Sequence, residues 1–130
     1  MEKLAQAERA LASLESILEE PFSVIVRDAS IQRFEYTTEA VWKAARAWLR
    51  AAESIEENHP RGVFRALYRI GRIDEALSLQ LLDLVEDRNR TAHAYIEALA
   101  DAVFGKIPQH VIALRGVLSA IDYPSSHEIR

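Results

Sequence analysis

Leu4, Leu11 and Leu18 recur every seven residues, with Leu14 and Ile17 between them. Such spacing lines one face of an amphipathic helix and predicts α-helix over roughly residues 2–20, ended by Pro21. A longer stripe follows. Phe34, Val41, Trp48 and Ile55 lie seven apart, and Ile31, Thr38, Ala45 and Ala52 form the adjoining row. Alternating steps of three and four predict one helix from about Ser23 to Glu57, which at 1.5 Å per residue would reach about 50 Å. The same spacing favours a packing role for Phe34, Trp42 and Trp48 over a base-stacking or cofactor box.

Asn58-His59-Pro60 breaks this pattern, and Pro60 suits the first turn of a third, short helix that ends near Gly71. Asp74 stands where an N-cap would open a fourth helix, with Leu77, Leu81, Leu84 and Val85 inward. That helix should reach Asn89 or a few residues beyond. A last helix begins near Ile96 and carries its stripe through Ile107, Val111, Leu114, Leu118 and Ile121. Pro108 falls inside it and is expected to kink or split it. The polar tail 123–130 is expected to fray, leaving residues 1–122 as one domain. Together these elements predict an all-α fold, an up-and-down antiparallel bundle of four to five helices.

Composition narrows the function. A chain of 130 residues can bury a core without disulfides or a structural metal. It has no cysteine, which removes disulfides, zinc–thiolate sites and cysteine nucleophiles and fits a cytoplasmic protein. No apolar run approaches the roughly 20 residues that cross a bilayer. Glu2, Glu8 and the lack of an apolar stretch near the start argue against a signal peptide. The net charge of −4 disfavours sequence-independent coating of nucleic acid. Thirteen arginines against three lysines leave room for a local phosphate site, since arginine offers paired donors.

Several chemistries have no residues to run on. The glycines at 62, 71, 105 and 116 are isolated, so no phosphate-binding loop is present. There is no HExxH, no Glu-x-x-His pairing across helices and no G-x-S-x-G. No Gly-Ser turn followed by Asp-x-Asp occurs, so the chain lacks the carboxylates with which a nucleotidyltransferase holds magnesium. Neither a metal nor a cofactor is expected.

One segment does carry chemistry. Arg88, Asn89, Arg90, His93 and Tyr95 fall within eight residues at the end of the fourth helix. Imidazole exchanges a proton near neutrality, and guanidinium neutralises phosphoryl charge. An Arg–His pair therefore suffices for metal-free RNA cleavage, and a two-fold dimer would bring two such pairs together. The same residues also suit a plain helix C-terminus, where arginine and histidine bond the last carbonyls. Arg61, Arg65 and Arg69 are four apart and Arg72 three further on, a stripe that suits phosphate, an acidic partner or a solvated face. The fifteen residues from 73 to 87 carry five acids and no base.

Arg88, four residues, His93, one residue, Tyr95 resembles the signature of HEPN proteins that pair with minimal nucleotidyltransferases. Ile31-Gln32-Arg33-Phe34-Glu35-Tyr36-Thr37 with Trp42-Lys43 resembles one branch, the nucleotidyltransferase substrate-binding protein family. Pro60-Arg61, Ala66 and Gly71-Arg72-Ile73-Asp74 fit that branch too, and the resemblance covers roughly residues 1 to 121. It implies a homodimeric helical bundle and a separately encoded nucleotidyltransferase as partner. In many such pairs the helical chain is an RNase toxin silenced by AMP transfer. Carried over, Arg88 and His93 would be catalytic, Tyr95 the AMP acceptor and Asn89 a polar neighbour. An older reading of the branch makes the helical chain a non-catalytic substrate-binding subunit, with Arg33, Glu35 and Lys43 lining its groove. Arg90 departs from the family pattern, where an uncharged residue is expected, and adds a cation near His93.

Overall fold

The computed structural model describes residues 2–122. These form α1 (Glu2–Leu18), α2 (Val24–Glu53), α3 (Pro60–Arg69), α4 (Glu75–Arg90), a 3-10 turn (Thr91–His93) and α5 (Glu97–Asp122), with no strand among the described residues. The tail expected to fray, 123–130, lies outside them. No helix among the described residues is long and apolar enough to cross a membrane.

Each boundary has a local cause. Ser23 opens α2 by accepting the Val26 N–H at 3.0 Å, and Asp74 opens α4 by accepting the Leu77 N–H at 2.8 Å. The helix expected to reach Glu57 stops at Glu53. There Ser54 turns left-handed (φ 56°) and the Ile55 N–H folds back to the Leu49 carbonyl at 3.1 Å. α3 closes in a Schellman motif: Gly71 sits at φ 79°, its N–H meets the Tyr68 carbonyl at 3.0 Å, and the Arg72 N–H meets that of Leu67 at 2.9 Å. Pro108 does not split α5, which runs unbroken to Asp122.

Side-chain pairs fix the directions. Arg33 and Tyr36 meet Ser13 while Thr37 meets Ala10, so α1 and α2 are antiparallel. Asp83 and Asp87 on α4 face Lys106 and His110 on α5, and Leu77 faces Gly116, so α4 and α5 are antiparallel too. The four long helices α1, α2, α4 and α5 thus alternate in direction, and α3 is a short helix within the α2–α4 connection. Phe34, Leu49, Leu67, Leu84, Leu114 and Leu118 lie in the shared core. Trp42 and Trp48 are buried there as well, Trp42 beneath Arg46 and Trp48 beneath Arg72, so the packing role holds for them.

Candidate functional site

The site sits at one end of the bundle, where the last turn of α4 passes through the 3-10 turn into α5. Two i, i+4 pairs on facing helices build its floor. Asp87 of α4 is buried and accepts from His110 Nε2 at 2.7 Å and from Arg90 at 2.7 Å, with Lys106 Nζ at 3.1 Å. Burial alone would raise the Asp87 carboxyl. The hydrogen bonds from His110, Lys106 and Arg90 outweigh it and hold the group below its ordinary value. Lys106 is raised, chiefly by its hydrogen bond to Asp83 at 2.8 Å. His110 stacks on Phe34 with ring centroids 5.3 Å apart, which ties this polar floor to the core.

Asp83, Asp87 and His110 place three potential metal-ligand atoms within 4.8 Å of one another. The three residues come from two helices, α4 and α5. Their charge is already met by Lys106, at 2.6 Å from Asp83, and by Arg90. A metal would have to displace an ammonium group, so the donor set fits a side-chain ion network better than a metal.

Above this floor the expected residues separate into two groups. Arg88 leans on α2: its guanidinium donates to the Thr91 hydroxyl at 3.2 Å and lies 3.5 Å from Glu35. Thr91 in turn sits 3.0 Å from the Glu35 carboxylate and 2.6 Å from the Arg88 carbonyl. Arg88 Nε is buried with no hydrogen-bond partner, a cost of the kind that collects at functional sites. His93 and Tyr95 face solvent, with Tyr95 78% exposed and its hydroxyl 3.5 Å from His93 Nδ1. Glu35 joins the two groups. It lines one cavity of about 280 Å³ with Gln32, Tyr36, Glu39 and Arg88, and a second of about 280 Å³ with Asp28, Ile31, Gln32, Ala94 and Tyr95.

Other expected contacts lie elsewhere. Arg33 donates to the Ser13 carbonyl at 2.8 Å and so pins α1 to α2. Lys43 is exposed and borders neither cavity. Asn89 is exposed on the last turn of α4. Arg90 turns down onto Asp87. Arg72 leaves the arginine stripe, because the αL glycine before it swings it back over the Trp48 ring and onto the Ala120 carbonyl at 2.8 Å.

Sequence reasoning missed Arg27. It is only 3% exposed and bonds Asp28, Glu97 and Asp101 at 2.7–3.2 Å, clamping the start of α2 to the start of α5 beside Tyr95. Glu97 is held below the ordinary carboxylate range by that arginine's hydrogen bonds. No local spacing announces a pair 70 residues apart.

The profile of the family described as nucleotidyltransferase substrate binding protein like matches residues 2–121. A solved structure from Thermus thermophilus is 42% identical, with a TM-score of 0.84, over 90% of this chain and 99% of that one. A Haemophilus influenzae protein, described as revealing the fold of a substrate binding domain of a nucleotidyltransferase, is 23% identical with a TM-score of 0.73, over 92% and 99% of the two chains. A tri-AMPylated Shewanella oneidensis HEPN toxin, solved in complex with its MNT antitoxin, is 21% identical with a TM-score of 0.75, over 93% and 94%. The last two establish likeness of fold. No curated protein sequence matches this chain.

Proposed function

The chain belongs to the nucleotidyltransferase substrate-binding-protein-like family, and we propose that it is the helical partner of a separately encoded minimal nucleotidyltransferase and a metal-independent RNase. In this reading His93 removes the proton from a ribose 2′-hydroxyl. The 2′-oxygen attacks phosphorus, the 5′-oxygen leaves with a proton from a second acid, and a 2′,3′-cyclic phosphate results. Arg88 neutralises the charge that builds on the phosphoryl oxygens. One histidine cannot be base and acid in the same passage, so a homodimer that pairs two such sites supplies the second.

The observation that carries the reading is the placement of the Tyr95 hydroxyl, exposed and 3.5 Å from His93 Nδ1. The partner would transfer AMP from ATP onto that oxygen and release pyrophosphate. The new phosphodiester would set a negative charge and a nucleoside over His93, and so close the site. A second reading, a non-catalytic substrate-binding subunit, draws on the two cavities that share Glu35.

Purified chain should cleave RNA in the presence of a chelator, and His93→Ala should not. Growth should arrest on induced expression of wild type alone and recover when the cognate nucleotidyltransferase is coexpressed. If wild type and His93→Ala are equally harmless at equal expression and neither cleaves RNA, the RNase reading is wrong and the substrate-binding subunit takes its place.

A further inference from the structure

The arginine stripe gains an aromatic member in three dimensions. Arg61, Arg65 and Arg69 are all exposed on α3, and Tyr68, three residues after Arg65, stands among them 43% exposed. α3 carries no acid of its own. Nearby acids sit at its first turn, where Glu57 lies over Gly62, and across on α4, where Glu86 is 3.9 Å from Arg61. Arg65 and Arg69 have no ion-pair partner among the described residues. Like charges repeated at i+4 repel one another, so this face carries an electrostatic cost that an anion would relieve.

The ridge leads to the site described above. Arg61 contacts Glu86, Glu86 reaches Arg90 at 4.0 Å, and Arg90 precedes the Thr91–His93 turn. Arg69 lies about 12 Å further along the α3 axis, and successive arginines stand about 6 Å apart. That step is close to the spacing of phosphates in an extended single strand. Guanidinium donors along a ridge with a ring between them are what single-stranded nucleic acid uses: phosphates pair with the arginines and a base stacks on the ring.

We infer that the exposed α3 ridge of Arg61, Arg65, Tyr68 and Arg69 is a track that binds single-stranded RNA and feeds it toward the Arg88–His93 site. The inference deepens the RNase reading and rests on it for the direction of travel. A single strand is favoured over an acidic protein by the tyrosine, whose ring has no role in ion pairing.

The test uses the non-cleaving His93→Ala chain and a short, unstructured, labelled RNA, with binding read by fluorescence anisotropy across a salt series. Arg65→Gln with Arg69→Gln should weaken binding about tenfold and flatten the slope of log K against log salt by about 1.4, at about 0.7 for each lost phosphate contact. Tyr68→Ala should cost at least about fivefold on the single strand and much less on a duplex of the same sequence, while Tyr68→Phe restores binding. Unchanged affinity and slope in these variants overturn the track. So does a result in which the variants keep RNA but lose the nucleotidyltransferase. If wild type fails to cleave RNA and the α3 variants still lose affinity, the track stands and the RNase reading alone fails. If wild type cleaves and the variants bind as before, the track alone fails.

Discussion

Replacing Asp87 by asparagine should be the most damaging isosteric change in this chain. The side chain keeps its volume and one acceptor oxygen, so nothing is lost in packing. What goes is the charge that three donors share. Arg90 is half exposed and Lys106 about one-third exposed, so solvent screens both pairs and each adds little. The His110 bond is different, because both side chains are at most 2% exposed. Losing a buried, charge-assisted bond and leaving two cations against an amide should cost about 2–3 kcal/mol. For 130 residues the unfolding entropy near Tm is about 0.27 kcal/mol/K, so Tm should fall by about 10 °C. Acid gives an independent check. Asp87 is held below its ordinary value when folded, so its contribution is complete above about pH 4 and is lost as pH falls through the folded value. Asp87→Asn has no such proton to take up. The gap between wild type and variant in thermal or urea unfolding should therefore be widest near neutrality and close on acidification. A shift below about 3 °C at pH 7, or a gap indifferent to pH, would refute the reasoning.

Other outcomes follow from single features. Thr38 has a buried hydroxyl without a partner, so Thr38→Val should raise stability by about 1 kcal/mol in urea unfolding; a loss would mean that the hydroxyl is bonded. Gly71 is at φ 79° with open space around its Cα, so Gly71→Ala should cost about 1 kcal/mol through backbone strain alone; no loss would show that the turn tolerates a Cβ. Tyr95→Phe should abolish AMP incorporation from labelled ATP by the partner, and continued incorporation would move the acceptor elsewhere.

The helices were legible because each buries one face, and a buried face imposes its period on the sequence. The end of α2 was not. The apolar period runs on through Ile55, but Ser54 turns the backbone, and a serine at positive φ gives little warning. The candidate site was half legible. Arg88, His93 and Tyr95 share a short segment, so spacing found them. Asp87 lies in that same segment, but its partners His110 and Lys106 are a helix away. The sequence does mark both pairs at i, i+4, Asp83 with Asp87 and Lys106 with His110, yet only the antiparallel packing of α4 on α5 makes them one network. Arg72 misled for the opposite reason. Its spacing continues the stripe, while the glycine before it redirects the chain.

The first helix packs on the last. Arg115 of α5 bonds Glu8 at 2.8 Å and Glu15 at 2.7 Å, across 107 and 100 residues of chain. On the ribosome the α1–α2 hairpin can form early, but its remaining apolar edge has nothing to cover it until α5 has emerged. The Asp87 floor also waits for α5, since Lys106 and His110 arrive only then. Arg88 and His93 are thus synthesised before the Lys106 and His110 half of the floor beneath them. A chain stopped short of Lys106 would carry Arg88 and His93 without that floor. The exposed α1–α2 edge is what a chaperone would find in the interval.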